Sequence, residues 1–185
     1  VGVPGTVAGL YLAWQEHGSL PWRRLVEPAI ALASDGFTVT HDLSASLKRV
    51  LQRMSQYPPS VAHFSKNGVP YEAGENFAQP DLASTLERIA NEGPAGFYHG
   101  ETARLIADEM RKNGGLITEA DLARYEPKKR EPIRGTYRDY EIISMPPPSS
   151  GGTVLVQMLN VLEEYDLASL GFGSAQSMHL IAEAM

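Results

Sequence analysis

The residues best placed for chemistry in this chain are Ser149 and Ser150, inside the stretch SMPPPSSGGTVLVQ at positions 144–157. A serine pair followed by Gly151 and Gly152 at the start of an apolar helical run can bring a hydroxyl together with free backbone N–H groups, the combination that holds an oxyanion or a phosphate. Use of either serine as a nucleophile also needs a general base, and no neighbour in sequence supplies one, so a base would have to come from elsewhere in the fold. Prolines that end a strand and a serine that caps a helix account for the same string. That structural reading is the one the local pattern favours: Pro146, Pro147 and Pro148 stop a strand, Ser149 or Ser150 caps the helix, and Gly151 and Gly152 let its first turn approach a neighbour.

The remaining candidates are weaker. The histidines are His17, His41, His63, His99 and His179, and no two have the spacing of a zinc helix or finger. With no cysteine, thiol nucleophiles, disulfides and thiolate metal sites are excluded. No G-x-G-x-x-G, P-loop or G-x-S-x-G occurs, and GFGSAQ from Gly171 lacks the third glycine, so neither cofactor nor metal is expected. Asp35, Glu109 and Asp121 fall where helix ends or solvated faces place acids. Trp14 and Trp22 flank a short turn, where aromatic packing is expected and a substrate wall is the alternative. Phe97 and Tyr98, in GPAGFYHGE, are expected to anchor a loop between helices. The basic run at Lys128, Lys129 and Arg130, between Glu126 and Glu131, reads as a solvated connector.

These residues need a scaffold, and 185 residues with 43% hydrophobic and 21% charged content suffice for one domain with a core. A formal charge of −6 argues against nucleic acid as a partner, which requires a basic face. No apolar run reaches the roughly 20 residues that a membrane span needs. The chain begins without Met or a basic signal-peptide start, and its helical pattern runs to Met185 without a stop signal, so it reads as part of a longer polypeptide.

Periodicity predicts a helix capped by Thr6 and stopped at Gly18, a second through Leu25, Val26, Ile30 and Ala33 with Pro21 in its first turn and a kink at Pro28, and a third on Leu43, Leu47, Val50, Leu51 and Met54 that ends at Tyr57-Pro58-Pro59. Asn67-Gly68 signals a turn. Helices follow on Leu82, Leu86 and Ile89, and on Ala103, Ile106, Ala107 and Met110, the latter closed by Asn113-Gly114-Gly115. Thr118 and Asp121 form a capping-box pattern. PIRGTY and YEIISM, either side of Arg138-Asp139, read as an antiparallel hairpin, and the helix from Val154 to Leu162 is apolar on most sides and should be nearly buried. The fold class expected is helix-rich α+β.

Five strings in register, GVPGTVAGL, EPAIALASDGF, QPDLASTLERIANEGPAGFYHGETA, NGGLITEADLARYE and YEIISMPPPSSGG, resemble the large subunit of bacterial gamma-glutamyltranspeptidases along essentially the whole chain. The resemblance implies a partial N-terminal-nucleophile hydrolase αββα fold, from a precursor that cleaves itself. In such a protein the new N-terminal Thr of the small subunit, with its own α-amine as base, attacks the γ-glutamyl amide of glutathione or a related compound, and water or an amino acid or peptide takes up the acyl group. The implied partners are therefore a γ-glutamyl small molecule and the small subunit; the implied location is the periplasm or the medium. The same resemblance puts the nucleophile after Met185 and the substrate-carboxylate Arg before Val1, and it puts the family's substrate-holding Ser-Ser and Gly-Gly elements in the small subunit rather than at Ser149 to Gly152. No catalytic, substrate-binding or metal residue of this chain is thus expected. The organisation expected within one large-subunit fragment, residues 1–185, is a mainly helical lobe at 1–125, a hairpin at 126–145, and a buried helix with a truncated final helix at 146–185. A binding protein without turnover and an amidase for other γ-glutamyl or acylated substrates are the alternatives. The 185-residue chain alone should release no more 4-nitroaniline from γ-glutamyl-4-nitroanilide than buffer does; reproducible turnover co-purifying with the chain would contradict this.

Overall fold

The computed structural model describes residues 2–185, which form two compact units, residues 2–127 and 128–185. In the first unit, α1 (Thr6–His17) starts one residue earlier than expected: Gly5 is the N-cap and Thr6 is already helical, so no side chain of the boundary residue caps the helix. The orphan N–H of the third helical residue, Ala8, is satisfied instead by the hydroxyl of Tyr98, 3.3 Å away and 90 residues along the chain. The same hydroxyl donates to the carbonyl of Pro4 at 2.7 Å. Gly18 does end α1, in extended rather than left-handed backbone, with its N–H on the Trp14 carbonyl at 2.7 Å and the Trp14 indole where a side chain would project.

Pro21 is the boundary residue before α2 (Trp22–Ser34), which carries Pro28 in its interior. This helix packs on α5 (Pro80–Glu92), and the Trp22 indole donates to the Ile89 carbonyl at 2.9 Å. Between them in sequence, α3 (His41–Met54) is capped by Thr40, and Tyr57-Pro58-Pro59 both ends the α3 region and opens α4 (Pro58–Phe64), since proline fits a first helical turn. Asn67 and Gly68 take positive φ (54° and 89°) between the bridged residues Lys66 and Val69. A short antiparallel pair, β1 (Phe37–Thr38) with β2 (Asn76–Phe77), has no periodic signal in the sequence, being two residues per strand. It is held by the rings of Phe37, Phe64 and Tyr71, each in contact with Phe77.

After α5 come the short α6 (Ala95–Tyr98), α7 (Gly100–Lys112) and α8 (Glu119–Ala123). The capping box at α8 is formed as expected: Asp121 N–H donates to Thr118 Oγ1 at 3.2 Å and Thr118 N–H to Asp121 Oδ2 at 3.0 Å. The Thr118 hydroxyl, which donates to Asp121 Oδ2 at 2.6 Å, and then the Thr118 N–H hold the Asp121 carboxyl below its ordinary range. The core cluster of this unit is Ala8, Tyr98, Ala103, Ile117 and Leu122, so it joins α1 to α6, α7 and α8.

In the second unit β3 (Ile133–Tyr137) and β4 (Tyr140–Ser144) form the expected hairpin, in register from Ile133 opposite Ser144 to Tyr137 opposite Tyr140, and Arg138 turns the chain at φ 55°. Helix α9 (Gly151–Glu163) lies against this hairpin and α10 (Ala175–Ala184) against α9, with Ser174 capping α10. The near-complete burial expected of α9 is not found: Val154, Leu155 and Val161 are 43%, 41% and 51% exposed, and of the helix only Gly152 and Leu162 are buried. Two strands and one helix are too narrow to cover an apolar helix on all sides. The first turn of α9 does approach its neighbour closely, at Gly152 alone: an added Cβ there would overlap the Met145 carbonyl, whereas Gly151 faces open space apart from the Ser149 hydroxyl. Gly152→Ala is therefore expected to destabilise the full-length protein by about 1–3 kcal/mol in denaturant titration, while Gly151→Ala causes no loss. Equal effects of the two substitutions would contradict this packing.

Candidate functional site

The loop singled out by its residue types lies between β4 and α9. Its turn is closed by Ser149 N–H on the Pro146 carbonyl at 3.2 Å, and the Pro147–Pro148 peptide is cis. Ser150 occupies the N-cap position of α9, but its hydroxyl makes no capping bond, contrary to the sequence expectation. The backbone explains why. Thr40, Thr118 and Ser174 are extended, with ψ of 166°, 166° and 155°, and each accepts an N–H from the helix it precedes. Ser150 has φ −76° and ψ −20°, already helical, so its side chain is not aimed at the first-turn N–H groups. Both serines are exposed, and among the described residues no hydrogen bond joins either hydroxyl to a His, Asp or Glu. The loop presents the start of a helix without an activated nucleophile.

The other candidates are dispersed by the fold. Among the described residues no three His, Asp or Glu side chains could hold a metal ion together. His63 Nε2 lies 2.5 Å from the Gln79 amide, His99 is the boundary residue of α7, and His17 and His179 are exposed beside Glu16 and Glu183. Asp35 caps the C-terminus of α2 and accepts the Ser34 hydroxyl at 2.9 Å; Glu109 accepts the Asn113 amide at 2.7 Å. Trp14 and Trp22 pack with Tyr11, ring centroids 5.0–5.7 Å apart, and their indole N–H groups are taken by the Leu20 and Ile89 carbonyls. Both help to line a mainly apolar groove of about 550 Å³ between α1, α2 and α5, to which Thr6 and His17 also contribute.

Tyr98 exceeds its expected role as a loop anchor. It is 4% exposed, stacks on Tyr125 at 5.4 Å, and forms the back of a cleft of about 360 Å³ that Tyr11, Gln15, His99 and Tyr125 also line. Burial pushes its phenol above the ordinary 10.0, against the opposing hydrogen bond from Ala8 N–H and with a smaller push from Tyr125. Sequence reasoning missed Tyr125 and Gly5, which belong together: a Cβ on Gly5 would overlap the Tyr125 hydroxyl. The glycine between Pro4 and Thr6 was the available signal. It also missed Arg88, whose Nε donates to the buried Thr102 hydroxyl at 2.9 Å while that hydroxyl donates to the Gly96 carbonyl at 2.8 Å.

The sequence profile of the family described as Gamma-glutamyltranspeptidase matches residues 1–185. The chain belongs to that family. It is 49% identical over 184 residues to the glutathione hydrolase proenzyme of Escherichia coli (strain K12), covering 99% of this chain and 32% of that protein. Over 185 residues it is 46% identical to the Acylase ACY 1 proenzyme of Pseudomonas sp. (strain SE83), covering all of this chain and 33% of the relative. The crystal structure of Helicobacter pylori gamma-glutamyltranspeptidase superposes with a TM-score of 0.94 at 46% identity, over all of this chain and 53% of that one. This gamma-glutamyltranspeptidase segment therefore has the helix-rich α+β architecture of part of the N-terminal-nucleophile hydrolase fold, and it spans about a third of the length of the curated relatives it matches.

Because the folded state holds the Tyr98 proton more tightly than the unfolded chain does, the stability this group contributes is complete below about pH 10 and is lost as pH rises through its raised value. Tyr98→Phe leaves the Pro4 carbonyl and Ala8 N–H unpaired, at a cost of about 1–3 kcal/mol at neutral pH. The variant should also lose stability less steeply than the parent above pH 10 in urea titrations of the full-length protein. Parallel pH profiles would contradict the assignment.

Proposed function

We propose that the full-length protein is a glutathione hydrolase and γ-glutamyltransferase, and that these 185 residues are a scaffold segment of its large subunit. The observation that carries this reading is the family match along the whole chain, together with the 49% identity to the Escherichia coli glutathione hydrolase proenzyme. In the proposed reaction the hydroxyl oxygen of an N-terminal Thr, exposed when the precursor cleaves itself, attacks the γ-carbonyl carbon of the substrate. The Thr α-amine takes the hydroxyl proton and passes it to the departing amine as the amide C–N bond breaks. Water, or the amino group of an amino acid or peptide, then attacks the resulting ester and regenerates the hydroxyl. The small subunit of the same precursor is the proposed partner, glutathione the proposed substrate, and the periplasm or medium the proposed location. We assign no catalytic or substrate-binding residue to this chain, because among the described residues neither serine of the β4–α9 loop has a hydrogen-bonded base.

The 46% identity to an acylase proenzyme favours one second reading, an amidase of the same mechanism for other acyl groups. Rapid mixing of the full-length protein with γ-glutamyl-4-nitroanilide, followed by mass spectrometry, separates them: a γ-glutamyl ester on the small-subunit Thr supports the first, and its absence in processed protein overturns it. Ser149→Ala and Ser150→Ala should each leave that ester forming and shift stability by no more than about 0.5 kcal/mol, as exposed positions do. Loss of the ester in a folded, processed Ser149→Ala or Ser150→Ala variant would show that the loop takes part in chemistry.

A further inference from the structure

In the second unit, the turn between α9 and α10 carries Phe172, which is 110% exposed and the most exposed large apolar residue among those described. A lone apolar side chain on a surface is ordinary. The backbone that presents this one is not. Phe172 stands between Gly171 and Gly173, whose φ values of 84° and 69° lie in the left-handed region that favours glycine. A Cβ at either glycine would meet nothing within 4 Å, so conformation rather than crowding calls for glycine on both sides of the ring. The turn is also fastened at its base. Gly171 N–H donates to the Ala168 carbonyl at 3.3 Å, Ser174 N–H donates to the Gly171 carbonyl at 3.3 Å, and the hydroxyl of the buried Ser177 donates to that same carbonyl at 3.2 Å. A ring held out on a turn fixed at both ends has little freedom left to lose on docking, which is what makes an aromatic side chain an anchor.

The rest of the unit indicates what receives the ring. Among the described residues 128–185 only Gly152, Leu162 and Ser177 are buried, while Ile143, Met145, Val154, Leu155, Val161 and Met178 are exposed. So small a core does not hold a unit of this length by itself, and its cover must therefore be permanent rather than a passing partner. The matched proteins are long enough to supply such a cover within one polypeptide: this chain spans 32% of the Escherichia coli proenzyme and 33% of that from Pseudomonas sp. (strain SE83). A surface on the same polypeptide is also present at high effective concentration, which a second copy is not. Residues 165–179 contain no Lys or Arg, so the turn lacks the cationic surround that draws an exposed aromatic to an anionic lipid surface.

We propose that Phe172 is a docking anchor whose ring seats in an apolar recess formed by the part of the parent polypeptide outside residues 1–185. Such docking requires only that the parent have the length of its relatives; γ-glutamyl turnover neither supports nor contradicts it. Phe172→p-benzoylphenylalanine in the full-length protein, irradiated in dilute solution, digested and mapped by mass spectrometry, identifies what lies against the ring. The expected product is an adduct within one protein molecule, joining position 172 to a peptide from outside residues 1–185. An adduct between two copies, an adduct to a peptide inside residues 1–185, or no adduct in folded protein would each overturn the proposal. Hydroxyl-radical footprinting of the unaltered full-length protein decides the matter if the variant does not fold. A ring seated in a desolvated recess should be oxidised at least about fivefold more slowly in native than in urea-unfolded protein. A smaller difference would place Phe172 in solvent and overturn its role as an anchor.

Discussion

The first unit depends on a helix cap supplied from 90 residues away. Helix α1 begins after Gly5, an N-cap with no side chain to offer, and the Tyr98 phenol accepts the Ala8 N–H as a serine hydroxyl does at an ordinary N-cap, while also donating to the Pro4 carbonyl. A cap made in this way is also a tertiary contact. It fixes the entry of α1 onto α6, and through the stacked Tyr125 it fixes the end of α8, while the small residues Ala8, Ala103 and Gly5 allow the rings to lie close. A neutral phenol buried among apolar groups remains protonated, which keeps the donor half of the cap intact across the physiological range.

This arrangement shows why some of the fold was legible in the sequence and some was not. Local signals were reliable where the physics is local. The capping box of Thr118 and Asp121, the Asn67-Gly68 turn and the turn of the hairpin around Arg138-Asp139 all depend on residues within four positions of one another. Thr6 has the right side chain and the wrong position, because the cap at that end is nonlocal. Ser150 has the right position and the wrong backbone, because the proline-rich turn delivers it already in helical φ/ψ. The β1–β2 pair is too short to carry a period, and the approach of Tyr125 to Gly5 spans 120 residues of chain.

The family is legible in the sequence for a different reason: five strings in order, spread along the whole chain, identify it. In the structure those strings are structural. GVPGTVAGL is the nonlocal cap and α1, GPAGFYHGETA supplies Tyr98 and the Thr102 hydroxyl that orders Arg88, ADLARYE supplies Leu122 and Tyr125, and SMPPPSSGG brings Gly152 against the Met145 carbonyl. The motif that looks like a site is thus explained by close approach at Gly152 and not by a serine cap. In the second unit, the apolar residues left exposed on α9 fit a segment that makes up about a third of its relatives' length.

The central claim, that one buried phenol organises the first unit, is most directly tested by amide hydrogen exchange on the full-length protein, comparing the parent with Tyr98→Phe. The expected result is strong protection of Ala8 and its helical neighbours in the parent, with faster exchange in the variant at the start of α1 and through α6 to α8, and no change in α3. Unchanged protection at Ala8 in Tyr98→Phe would mean that α1 is held by something other than the Tyr98 cap.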